Sequence, residues 1–115
     1  MKSLVDLWFK CWSEGRFEEL PITDDFTHTS PFDTIEGKES YLNLVRANKD
    51  KFLGYTFEVH DILFHKDHAC VRYTGRQGSD FKLDVSEWYY AKDELIHKIV
   101  SYYHIGEIRE DRTLK

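Results

Sequence analysis

From Tyr55 to Gly106 the chain is rich in β-branched and aromatic residues, in long runs broken by short polar turns at Lys66-Asp67, Gln77 to Asp80 and Asp93-Glu94. Runs this long, joined by turns this short, predict an antiparallel meander with strands at Tyr55 to His65, His68 to Arg76, Phe81 to Lys92 and Leu95 to Gly106. Strands of that length need bulges to curve around whatever they cover. The covered elements lie upstream. Leu4, Val5, Leu7, Trp8, Cys11 and Trp12 share one face of a helix, with Ser3 as its cap, Asp6 in the capping-box position and Gly15 at its end. Arg16 to Leu20 reads as a short second helix stopped by Pro21. Tyr41, Leu42, Val45, Asn48 and Phe52 recur at helical spacing and predict a third helix from about Lys38 to Lys51, closed by Gly54. Residues 22–37 read as irregular chain with a short strand at Phe26 to Ser30.

The expected architecture is therefore one α+β domain: three N-terminal helices against a strongly curved, mainly antiparallel sheet of four to six strands. At 115 residues the chain supports one hydrophobic core. The domain is expected to occupy residues 1–106, with the charged, aperiodic stretch 107–115 as a tail. A net charge of −5 with scattered Lys and Arg argues against nucleic acid as a partner. No segment has the apolar length of a bilayer span, and the first twelve residues read as a domain helix rather than a signal peptide. Cys11 and Cys70 lie far apart and outside any CxxC, which favours reduced thiols and a cytoplasmic setting.

Aromatic residues make up 16% of the chain, and each ring has to be buried, paired or used against a ligand. Trp88, Tyr89 and Tyr90 are consecutive, so both faces of that strand carry rings, and Tyr102-Tyr103 repeats the pattern. One face can meet the helices; the other predicts a homodimer through the outer face of the sheet. Trp12, Tyr73, Trp88 and Tyr90 are candidates for the wall of a small-molecule cavity, with core packing as the competing role of each ring, Trp88 included. His65 and His68 in H-K-D-H lack a third metal ligand, so no metal is expected. The absence of GxSxG, GxGxxG and a Walker loop leaves no support for a nucleophile elbow or a nucleotide cofactor.

The order helix, helix, loop with Ser30-Pro31-Phe32, helix, then long strands ending in Ile99-Val-Ser-Tyr-Tyr-His104 resembles the ketosteroid-isomerase-like and SnoaL-like polyketide-cyclase group, also called nuclear-transport-factor-two-like or cystatin-like. Further pieces carrying the resemblance are Phe26-Thr-His-Thr-Ser30, Gly37-Lys-Glu and Val85-Ser-Glu-Trp-Tyr-Tyr90; together they span about residues 3–106. The resemblance implies a conical half-barrel whose concave side, closed by the helices, holds a mostly apolar pocket. It implies nothing as specific about activity, because this fold hosts isomerases, dehydratases, cyclases, hydrolases and non-catalytic modules.

Residue by residue, the resemblance places Ser30 where ketosteroid isomerases have an aspartate base, and a hydroxyl is far too weak a base for that role. It places the family's acidic hydrogen-bond donor near Ser86 and its helix-one tyrosine near Trp8 or Trp12. It places His104 where SnoaL-like cyclases have an aspartate. Arg72 and Asp84 offer two members of an epoxide-hydrolase set that lacks its third. Read from the residues themselves, His28 is expected to point to the same side as Ser30 and to serve as a base or donor. The candidate catalytic residues are then His28, His104 and Tyr103. Those for ligand binding are Trp12, Ser30, Phe32, Tyr73, Ser86, Trp88 and Tyr90. Two functions stay open: a cofactor-independent isomerase, dehydratase or cyclase acting on a small cyclic or carbonyl compound, or a non-catalytic ligand-binding or dimeric interaction domain.

Overall fold

The computed structural model describes residues 1–79 and 81–104. Helix α1 spans Lys2–Glu14 and buries Val5, Trp8, Cys11 and Trp12, the stripe read from the sequence. Its start differs from expectation: Met1 is the cap residue, no side chain caps the end, and Asp6 pairs instead with Lys2 at 2.8 Å. Gly15 ends the helix in the left-handed conformation (φ 70°) that a residue with a Cβ rarely adopts. The expected second helix is a single 3₁₀ turn, Phe17–Glu19, and the third is α2 at Lys38–Ala47 followed by a 3₁₀ turn at Lys49–Lys51. Two α-helices thus stand where three were expected, because three residues before Pro21 cannot build a full α-turn.

The segment expected to be irregular forms two strands, β1 (Ile22–Thr29) and β2 (Thr34–Glu36), joined by a turn in which Ser30 N–H donates to the Asp33 carbonyl at 2.9 Å. β1 shows so little local strand pattern because its main partner is the last strand of the chain, reached by a parallel pairing. The remaining strands are β3 (Tyr55–His65), β4 (His68–Gln77), β5 (Phe81–Lys92) and β6 (Leu95–Tyr102). They start where the β-branched runs placed them, but the last strand stops at Tyr102, short of the expected Gly106; residues 105 and 106 and the expected tail lie outside the described residues. The six strands form one mixed sheet in the order β2-β1-β6-β5-β4-β3, antiparallel throughout except for β1 beside β6. Breaks in register at Val59/Asp61 and Tyr90/Ala91 supply the bulges that curvature requires.

Alternation along β5 decides what the sheet offers to each side. Phe81, Val85, Glu87 and Tyr89 are buried on the concave face, while Lys82, Asp84 and Trp88 are exposed on the convex face. α1 lies across the concavity. Trp8 meets Tyr89 edge-on at 6.2 Å, and Phe9 meets Tyr73 at 5.1 Å. Phe26, Tyr89, Ile96 and Ile99 are the largest fully buried side chains of this core. No helix among the described residues is long and apolar enough to cross a membrane.

Candidate functional site

The concave face is not filled completely. Between α1, α2 and the sheet lies a cavity of about 430 Å³, within the range that holds small-molecule ligands elsewhere. Its walls are mostly rings, among them Trp8, Phe9, Trp12, Tyr41, Phe57 and Tyr73. One end is polar. Glu87, on β5, is 95% removed from solvent, and its neighbours there are hydroxyl groups.

Three O–H donors converge on that carboxyl. Ser101, directly across the β5–β6 pair, donates to Oε2 at 2.7 Å; Tyr73 donates to the same oxygen at 3.1 Å; Tyr89 donates to Oε1. Burial raises the Glu87 carboxyl above the ordinary value and outweighs the three hydrogen bonds, which pull the other way. The surrounding phenols answer in kind: burial first, and then the charge of Glu87, holds Tyr41, Tyr73 and Tyr89 well above the usual tyrosine range.

Ser101 carries the chain one step further, with its Oγ 3.2 Å from Nε2 of His28 on β1. A serine hydroxyl has one proton, and it is given to Glu87. It must therefore accept from His28, which makes Nε2 the protonated nitrogen and leaves the lone pair on Nδ1. Burial pushes the imidazole down to about 4, so it is neutral at physiological pH. Its ring lies 5.4 Å from that of Tyr41 and keeps one side open to the cavity. Ser30, two residues on, faces the same space, and its hydroxyl accepts the Phe32 N–H at 3.2 Å. Phe32 packs against Tyr103 at 6.1 Å at the mouth, half exposed.

Of the residues singled out from sequence, the cavity thus brings together Trp12, His28, Ser30, Phe32, Tyr73 and Tyr103. It does not include four others. Ser86, Trp88 and Tyr90 have even positions on β5 and point to the convex side, opposite Glu87 and Tyr89, because successive side chains alternate. Trp88 is accordingly 43% exposed, so its expected role in the core is also corrected. His104 is exposed and does not line the cavity. Glu87 and Ser101 were missed. The signal was present in the β5 run: Glu87 shares its parity with Val85 and Tyr89, and it stands one residue after Ser86, near which the resemblance placed an acidic side chain.

A curved sheet wrapped round an aromatic cavity with a buried acid at one end defines a small α+β domain of the cone-shaped, ketosteroid-isomerase-like kind. The chain matches the SnoaL-like domain family over residues 5–100 and belongs to that family. Among solved structures it is similar to an NTF2-like protein of unknown function from Cytophaga hutchinsonii, at 19% identity over 90% of this chain and 88% of that one, with a TM-score of 0.76. It is similar to an LEH-like epoxide hydrolase of M. tuberculosis at 16% identity, over 91% and 83% of the two chains, with a TM-score of 0.75. It is also similar to a de novo designed protein with a curved β-sheet, at 17% identity over 90% and 84%, with a TM-score of 0.74. No curated protein matches the chain. At these identities the likeness shows the fold, and a fold does not by itself define an activity.

Proposed function

We propose that the cavity binds a small cyclic or carbonyl-containing molecule and that His28 moves a proton on it, without a cofactor, in an isomerase-, dehydratase- or cyclase-type reaction. The observation that carries this reading is the Glu87–Ser101–His28 hydrogen-bond chain at the polar end of an otherwise apolar chamber. Ser101, held by Glu87, fixes the tautomer of His28 so that Nδ1 is the basic atom. A neutral imidazole in an enclosed site is a competent general base at neutral pH, whereas Ser30 is not. In the step itself, the carbon–hydrogen bond beside the carbonyl breaks and the proton passes to Nδ1. The electron pair moves into the carbonyl to give an enolate, and the proton is returned to the same or a neighbouring carbon. Tyr103, which lines the same cavity, would donate its O–H to the enolate oxygen.

The test is α-proton exchange in heavy water with a panel of cyclic ketones, followed by NMR. Wild type is expected to exchange deuterium into at least one of them stereoselectively, and His28→Ala to lose that activity while keeping its far-UV spectrum and its cooperative unfolding. Unchanged exchange in His28→Ala would remove His28 from the reaction.

The convex face supports a second part of the reading, a homodimer. Leu63, Cys70, Trp88 and Val100 are register partners in one row across β3, β4, β5 and β6, so they share the convex side. Leu63 is 73% and Tyr102, on the same face, 58% exposed. A contiguous apolar and aromatic row of this kind fits a second copy of the same sheet better than it fits water.

A further inference from the structure

Glu87 is a buried acid surrounded by donors that are all neutral. Tyr73, Tyr89 and Ser101 give it three protons, matching a carboxylate that only accepts, and together they occupy three of its four lone-pair positions, leaving one on Oε1. Among the described residues no lysine or arginine contributes to its shift. Among the described residues that line the cavity, Lys51 on the 3₁₀ turn is the sole basic side chain apart from the neutral His28, and a second carboxylate, Asp33, sits at the mouth. A buried carboxylate without a counter-charge is costly, and the described side chains hydrogen-bonded to Glu87 are all neutral. The rest of the wall mixes aliphatic side chains such as Leu44 and Val85 with aromatic rings, whose faces attract cations.

We infer that the ligand of this cavity is an organic cation, an amine whose ammonium group sits against Glu87 with its hydrocarbon frame among the rings of Trp8, Tyr41, Phe9 and Tyr73. The proposal rests on the cavity being a ligand site and not on proton transfer by His28. The ammonium group fills the open lone-pair position on Oε1 and supplies the missing charge. The chain's net charge of −5 favours the approach of a cation. A ligand carrying a carboxylate or phosphate meets only repulsion at this end.

Three probes of one size and different charge test this: benzylamine, benzyl alcohol and sodium benzoate, titrated calorimetrically into the full chain at neutral pH. Benzylamine is expected to bind at least about tenfold more tightly than benzyl alcohol, with benzoate weakest, and Glu87→Gln to erase the difference between the first two. Benzylamine affinity is also expected to fall as the pH drops and Glu87 takes up its proton, a measurement that needs no variant and stands if Glu87→Gln fails to fold. None of the three probes carries a carbon-bound proton beside a ketone, so the ranking does not depend on proton transfer by His28 and separates this proposal from the catalytic one. Benzyl alcohol or benzoate binding as tightly as benzylamine would overturn the inference, as would a preference for benzylamine that survives in folded Glu87→Gln. Binding of none of the three would remove the ligand-site reading and this inference with it.

Discussion

His28 and Glu87 are both pushed toward their uncharged forms by the same enclosure, and this gives them opposite effects on stability. The unfolded chain holds the His28 proton up to the ordinary 6.5, whereas the folded chain releases it already at about 4. Between those values the unfolded state binds the extra proton, so His28 makes stability rise with pH across that window. Glu87, raised by burial, keeps its proton to a higher pH when folded than when unfolded. Its contribution is present below the ordinary carboxyl value and is lost as the pH climbs through the folded one. Urea unfolding at a series of pH values should therefore show His28→Ala with a flatter rise between pH 4 and 6.5 than wild type. Glu87→Gln should gain on wild type progressively at higher pH. Variant curves running parallel to wild type would contradict these assignments. Of the two groups, His28 was legible in the sequence because an extended run beside Ser30 sets its side. Glu87 was obscured because the neighbouring Trp-Tyr-Tyr run drew attention to rings on both faces, and parity alone does not say which face is inward.

At the level of the elements, the sheet's own alternation separates two aromatic residues that look equivalent in composition. Phe26 on β1 is fully buried against Trp8 and Tyr41, whereas Trp88 on β5 stands on the convex side, 43% exposed. Phe26→Ala is expected to cost about 3–5 kcal/mol, and Trp88→Ala under about 1 kcal/mol in the monomer. Denaturant midpoints for the two variants measure this directly, and equal losses would refute the assignment of faces. Long strands and α1 were legible because their patterns are local: β-branched runs with short turns, and an apolar stripe ending at Gly15. β1 and β2 were not, because Ile22 to Thr29 is mostly polar, with Asp24 and Asp25 exposed. Its hydrogen bonds come from a parallel neighbour some seventy residues later, as in the pairing of His28 with Ile99. That pairing is what brings His28 to Ser101, so the same non-local step hid both the strand and half of the site.

For the molecule as a whole, the two faces of one sheet divide the work, with the concave side enclosing the chamber and the convex side presenting the row of Leu63, Trp88 and Tyr102. If that row joins two copies, Trp88→Glu combined with Tyr102→Glu should shift the sedimentation coefficient from dimer to monomer while leaving far-UV dichroism unchanged. A wild type that sediments as a monomer would remove the interface. The general shape was legible because a meander of long bulged strands has to curl round its helices; the cavity's contents were not, since they depend on side chains from six strands and two helices meeting. The central claim is that this chamber holds a neutral base in a tautomer fixed through Ser101 by Glu87. The most direct test is a ¹⁵N NMR titration of the His28 imidazole. The account predicts a neutral ring protonated at Nε2 that titrates at about pH 4. A ring protonated at Nδ1, or one that titrates at the ordinary 6.5, would contradict it.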